Sequence, residues 1–284
     1  MALVPVHDLL MAADQEGYAV GAFNANNMEI VQAIIEAAEL EKAPVIMQAS
    51  QGAIKYAGLE YITALVKIAA QTKKVPVGLH LDHGTSFSEI VRCIRSGFSS
   101  VMYDGSKLPL AENIAMTKKV LEIADPINVS VEAELGKIGG TEDNIHVSEK
   151  EAMYTDPEEA RFFVEQTGVK SLAVAIGTAH GQYKGEPQLD FDRLAKIKSL
   201  VNIPIVLHGS SGVPDEAIKK AIKLGVCKVN IDTNIREAFV AEMRRVLDAS
   251  PDEIDPRKIL GPAREAVVGV IRQKIRVFGS SGKA

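Results

Sequence analysis

At 284 residues the chain has the length of one α/β barrel, a fold that takes about 250. Hydrophobic residues make up 46% and charged residues 24%, which excludes a disordered chain and supplies a large core. A net charge of −5, with no run of Lys and Arg interleaved with aromatics, argues against nucleic acid as a partner.

The opening segment, MALVPVHDLLMAADQEG, has no basic residues ahead of its short apolar stretch, and its Asp8 and Asp14 suit a surface helix rather than a signal peptide. No apolar run reaches the length of a membrane span, so no membrane partner is expected and the expected setting is cytoplasmic. A first strand follows at Tyr18 to Asn24, then a helix over Met28 to Glu41, where Ile30, Ile34 and Ala38 repeat on one face. Further strand-like runs are Ala43 to Ser50, Val75 to His83, Ser99 to Gly105, Asn128 to Gly136, Ser171 to Gly181, Ile203 to Gly209 and Val226 to Thr233. Helical patterns separate them, with start signals at Asp156-Pro157 and Pro214-Asp215. Cys93 and Cys227 lie in the apolar contexts CIRSGF and LGVCKVN and read as reduced core thiols. Lys137 to Thr155 follows a strand, opens with Gly139-Gly140, lacks apolar periodicity and reads as a long mobile loop, with His146 solvated within it.

Eight such strands, each a nearly continuous apolar run, predict a (β/α)8 TIM barrel. The expected layout is a single domain over residues 1–284 with a C-terminal helical extension; an open doubly wound sheet is the alternative. The barrel is favoured because the strand ends are polar, as the catalytic rim of a barrel requires: Asn24, Ser50, Asp82-His83, Asp104, Glu134, His180, His208 and Asn230 to Asp232.

Three of those ends share a pattern, a histidine followed by glycine after an apolar run: His83, His180 and His208. Three neutral imidazoles suit a catalytic zinc, which keeps a further position open; the alternative for each is a hydrogen-bonded core histidine. His7 lies near the terminus and His80 is expected to pack inside the third strand. Asp82, beside His83, is placed either as a proton shuttle or as a carboxylate that orients a ligand. Glu132 and Glu134 share a strand face. Glu134 with Asp104 could hold a second cation, or pair with a lysine inside the barrel. Gly181, then Gly209, Ser210 and Ser211, then Asn230, Ile231, Asp232 and Thr233 fall in small-residue turns and at a helix start, where backbone N–H groups bind phosphate.

The motifs FNANN from Phe23, HLDHG from His80, VEAELG followed by GGTEDN, GTAHGQYKGEP from Gly177, LHGSSGVP from Leu207, NIDT from Asn230 and DPRKILGPAREA from Asp255 run in order along the chain. Together they resemble the class II, zinc-dependent fructose-1,6-bisphosphate aldolases, in the compact branch that also contains tagatose-1,6-bisphosphate aldolases. The resemblance implies zinc on His83, His180 and His208, Asp82 as proton donor, and Glu142 as the group that protonates the enediolate carbon. It implies dihydroxyacetone phosphate held by Gly181, Gly209 to Ser211 and Asn230 to Thr233, with Asn24, Ser50 and Lys184 lining the same pocket. Asp104 and Glu134 match a secondary metal position, a monovalent cation belongs near the phosphate, and Arg257 would reach a far phosphate across a homodimer or homotetramer. Ser210-Ser211 departs from the smaller residue usual there.

The resulting expectation is a lyase that reversibly cleaves a phosphorylated ketose, fructose 1,6-bisphosphate, into two triose phosphates, with the tagatose sugar as the alternative. A Schiff-base aldolase on Lys228, the one lysine inside a strand candidate, is a rival, although a buried structural lysine fits that position better. The remaining rivals are another metal-dependent aldolase, a zinc hydrolase, and a non-catalytic assembly subunit.

Overall fold

The computed structural model describes residues 3–142, 145–147, 153–183, 185 and 187–284, with the backbone alone at 141, 142 and 145–147. In chain order its elements are α1 (Val6–Glu16), β1 (Val20–Asn24), α2 (Met28–Glu41), β2 (Val45–Ser50), α3 (Gln51–Ala57), α4 (Leu59–Thr72), β3 (Val77–Gly84), α5 (Phe87–Ser96), β4 (Ser100–Tyr103) and α6 (Leu110–Ala124). Then come β5 (Ser130–Leu135), β6 (Gly139–Glu142), β7 (Ile145–Val147), α7 (Pro157–Thr167), β8 (Ser171–Val174), β9 (Ala179–His180) and α8 (Phe191–Leu200). The chain finishes with β10 (Ile205–Leu207), α9 (Asp215–Lys223), β11 (Val226–Ile231), α10 (Thr233–Ala249) and α11 (Pro256–Val277).

Strands β1, β2, β3, β4, β5, β8, β10 and β11 form the closed parallel barrel, sealed where β1 pairs with β11. Their outward side chains meet a ring of helices through Ile34, Ile62, Ile90, Phe163, Ile197, Ile218 and Ile271, each at most 1% exposed. Burying a side chain of this size is worth about 1.5–3 kcal/mol, which is why strands covered on both faces lack polar alternation outside the barrel lumen. Capping follows the local sequence: Asp156 accepts from the backbone N–H groups of Glu158 and Glu159 ahead of Pro157, and Asn27 accepts from Ile30.

The two ends of the barrel differ. At the N-terminal end α1 forms a plug, its Val6, Leu9, Leu10 and Ala13 packing on Val20, Ala22, Ile46 and Cys227. Gly78 permits this, because a Cβ there would lie 2.6 Å from Val6 Cγ2. The lumen above is polar, with register aligning Asn24 with Gln48, Gln48 with His80, and Ser50 with Asp82. Both cysteines are buried and free, and burial pushes each thiol up to about 12. No helix among the described residues is long and apolar enough to cross a membrane.

Two expectations need correction. The sixth strand does not run from Ser171 to Gly181. It ends at Val174, the chain turns at Gly177 with φ of 110°, and Ala179–His180 joins a separate three-stranded sheet beside β6. Nor is the segment after β5 wholly irregular: β6 pairs antiparallel with β7, and Lys137 and Met153 exchange backbone hydrogen bonds at its base.

Candidate active site

His83, the last residue but one of β3, has φ of 49°, a left-handed conformation that costs energy in a residue with a Cβ and commonly marks functional positions. The β3–β4 register shifts between Leu81 and Gly84, the interval that contains His83. His208 directly follows β10, and β9 carries His180. The three rings converge edge to face, with centroids 5.0 Å apart for His83–His180, 4.7 Å for His83–His208 and 5.9 Å for His180–His208.

Carboxylates stand behind two of these rings. His83 Nδ1 lies 3.0 Å from Asp104 Oδ2, and His208 Nε2 lies 2.9 Å from Glu132 Oε1. Burial opposes ionisation of Asp104, but hydrogen bonds from His83 and Ser106 hold its carboxyl below the usual range. Burial likewise opposes ionisation of Glu132, yet the Lys228 ammonium holds that group low as well. Ionised carboxylates only accept, so each imidazole donates to its carboxylate and turns a lone pair the other way. Those two lone-pair nitrogens, His83 Nε2 and His208 Nδ1, face each other at 2.9 Å. Two imidazole lone pairs directed together, with His180 close enough for all three ligand atoms to lie within 4.8 Å, suit a borderline transition-metal ion far better than calcium or magnesium.

Asp82 lies in the same layer, 0% exposed, with its carboxylate accepting from Asn24 Nδ2 at 3.2 Å, Gln48 Nε2 at 2.9 Å and Asn230 Nδ2 at 3.2 Å. Asn230 Nδ2 also sits 3.3 Å from His208 Nδ1, which joins the carboxylate to the histidine cluster. Beside them opens a cleft of about 230 Å³, lined by Asn24, His180, Gly181, Gly209, Ser210, Ser211, Asn230, Asp232, Thr233 and Arg236 among others. The N-terminus of the 17-residue helix α10 opens onto it, which favours an anion. Gly209, with φ of 63°, lets the loop after β10 approach Ala179, whose carbonyl oxygen a Cβ would meet at 2.6 Å. Tyr183 ties the two loops by donating to Gly209 O at 2.8 Å and accepting from Ala179 N at 2.7 Å.

Residues 4–283 match the family described as fructose-bisphosphate aldolase class-II. The chain belongs to this family. A fructose-bisphosphate aldolase from Thermus caldophilus is 49% identical, with 99% of this chain and 100% of that protein covered. A sulfofructosephosphate aldolase from Alkalicoccus urumqiensis is 46% identical over 100% of this chain and 99% of its own. The crystal structure of the YdjI aldolase from Escherichia coli K12 superposes with a TM-score of 0.87 at 35% identity, covering 99% of each chain.

For a class II aldolase, most of the residues singled out from sequence come together. Asn24, His180, Gly181, Gly209, Ser210, Ser211, Asn230, Asp232 and Thr233 line the cleft, and His83 and His208 adjoin it through His180, as Asp82 does through Asn24 and Asn230. Ile231 is buried on β11 between Asn230 and Asp232. Asp104 and Glu134 lie beside His83 in a second group able to hold a metal ion, where burial and then Asp104 push the Glu134 carboxyl well above its usual range. Ser50 caps α3 by accepting from Ala53 N. Glu142 contributes only its backbone to the description, at the end of β6, and Lys184 lies outside the described residues.

Arg257 does not join this cleft within one chain. Its side chain is 89% exposed, pairs with Asp255 at 2.8 Å, and lines a separate groove with Met28, Gln32 and Arg264. Lys228 is 0% exposed and bonded to Glu132 at 2.8 Å, so the lysine partner foreseen for Glu134 belongs to Glu132. Sequence reading passed over Gln48, Tyr183 and Arg236. Gln48 left a trace, an amide after the apolar run of Val45, Ile46 and Met47, at the parity that faces the lumen.

Proposed function

We propose that this aldolase cleaves fructose 1,6-bisphosphate reversibly into dihydroxyacetone phosphate and glyceraldehyde 3-phosphate, with zinc held by His83, His180 and His208. The reading is carried by the facing lone-pair nitrogens of His83 and His208, set beside Asp82 and the anion cleft. Zinc bound there would polarise the ketose carbonyl as a Lewis acid and would stabilise the negative charge that develops as the C3–C4 bond breaks.

Asp82 takes the proton of the C4 hydroxyl oxygen as that bond breaks and returns it in synthesis. The amides of Asn24, Gln48 and Asn230 hold its carboxylate in place. Backbone N–H groups around Gly181, Gly209 to Ser211 and Asp232 to Thr233 bind the near phosphate, where Lys184 and a monovalent cation add positive charge. Glu142 donates a proton to the enediolate carbon in cleavage and removes it in synthesis, and Asp104 with Glu134 offers a second cation position. Arg257 serves the far phosphate of a neighbouring subunit in a homodimer or homotetramer, a role its exposed guanidinium suits. Buried free thiols fit a reducing, cytoplasmic setting.

The test pairs metal content with substrate choice. Prolonged chelation should abolish cleavage and zinc should restore it, while borohydride added with substrate leaves the enzyme active. Covalent trapping on Lys228, with turnover that resists chelation, would reject the metal mechanism. Among the fructose, tagatose and sulfofructose substrates, fructose 1,6-bisphosphate should be cleaved with the highest kcat/KM. A higher value on either other sugar reassigns the substrate.

A further inference from the structure

Beneath the three imidazoles a line of ionic and polar contacts crosses the barrel lumen. Lys228 Nζ donates to Glu132 Oε2 at 2.8 Å and lies 3.3 Å from His80 Nε2, while His80 Nδ1 lies 2.7 Å from Ser100 Oγ. The other oxygen of Glu132 meets His208 Nε2 at 2.9 Å. Lys228, His80 and His208 are 0% exposed, and Glu132 and Ser100 are 1% exposed. Well-packed apolar residues fill such a space at least as stably as a buried ion pair, so packing alone gives no reason for this one.

We propose that Lys228 and Glu132 are positioning residues that set the tautomer of His208, and with it the nitrogen that His208 turns toward the metal. The inference rests on the metal reading above. An ammonium has three donors and no acceptor, so at 2.8 Å it takes a lone pair from Glu132 Oε2. The paired carboxylate then accepts at Oε1 too, and His208 Nε2 must carry the hydrogen. That leaves the His208 Nδ1 lone pair directed at the space shared with His83 Nε2. His80 supports the lysine from its other side: its Nε2 lone pair faces the ammonium, and its Nδ1–H donates to Ser100.

The chemistry predicts an effect with a definite sign. In Glu132→Gln the lysine still demands an acceptor, so the amide oxygen turns to Lys228 and the NH2 turns to His208. His208 Nε2 must then accept, its proton moves to Nδ1, and the metal-facing nitrogen is blocked. Zinc affinity, read by competition with a chelator, should fall by roughly 10–100-fold. Adding Lys228→Met frees the amide oxygen to turn back and accept from Nε2–H, so the double variant should bind zinc more tightly than Glu132→Gln alone. Long-range ¹H–¹⁵N spectra of the unsubstituted protein, with zinc and without it, should show the His208 proton on Nε2.

A proton on Nδ1 in the unsubstituted protein overturns the proposal, as does unchanged zinc affinity in Glu132→Gln. A double variant that binds no better than the single one removes Lys228 from the role. If Glu132→Gln does not fold, the tautomer of the unsubstituted protein decides. An unsubstituted protein that takes up no zinc instead sinks the metal reading, and its His208 tautomer still tests the Lys228–Glu132 link.

Discussion

Asp82 and His83 are adjacent in sequence yet have different surroundings, and the difference separates their roles. His83 is backed by a carboxylate and turns its other nitrogen to His208, as a ligand should. Asp82 receives three amide donors, which fix the orientation of its carboxylate and leave it to exchange a proton with a substrate oxygen. Asp82→Ala should therefore lower turnover by about two to four powers of ten while zinc content stays near that of the unsubstituted protein. Loss of zinc in that variant would make Asp82 a support for the ligands. Much of this layer was readable in advance, because a charged or imidazole residue at the end of an apolar strand has few structural reasons to be there. Gln48 and Tyr183 were not readable, since a neutral amide or phenol inside a strand or loop reveals its partner only when the chain folds.

At the level of elements, alternation of apolar runs and helical periodicity was enough to place eight barrel strands, because burial on both faces leaves a strong local trace. The sixth was read too long. Ser171 to Gly181 is apolar almost throughout, and nothing local distinguishes β8 from β9 except Gly177, whose φ of 110° turns the chain. The consequence is functional. His180 is held by the pairing of β9 with Gly139 and Gly140 of β6, outside the barrel that holds the other two imidazoles. Gly140 has φ of 100°, and a Cβ there would overlap the His180 carbonyl oxygen. Gly140→Ala should push β9 off β6 and weaken zinc binding by roughly tenfold or more, since the backbone strain alone is about 1–2 kcal/mol. Isothermal titration of the chelated protein with zinc checks this, and an unchanged affinity would mean that His180 is held by other contacts. The barrel should stay folded, because Gly140 lies outside it.

Across the whole molecule, the ring of helices closes where α11 packs against α2, and one acidic residue gathers that closure. Glu41 receives Arg272 Nε at 2.8 Å, Arg276 Nη2 at 2.7 Å and Ser281 Oγ at 2.9 Å, while its carbonyl oxygen accepts from Gly282 N at 2.8 Å. The hydrogen bond from Arg276 leads in lowering its carboxyl from 4.5 to about 2, with burial opposing and Arg272 and Ser281 adding to the effect. A carboxyl whose folded value is depressed contributes stability above its unfolded value, and that stability is lost as pH falls through the folded one. The window here runs from 4.5 down to about 2. Arg272 and Arg276 are 37% and 58% exposed, so solvent screening reduces the contribution to about 1–2 kcal/mol. Glu41→Gln should lower stability by that amount at pH 7, and its deficit against the unsubstituted protein should shrink steadily as pH falls below about 4.5. Urea unfolding of both proteins at matched pH measures the difference, and the comparison cancels the acid sensitivity of the metal site, which both share. A deficit that stays constant from pH 7 to the acid limit of folding would show that Glu41 acts through packing rather than charge.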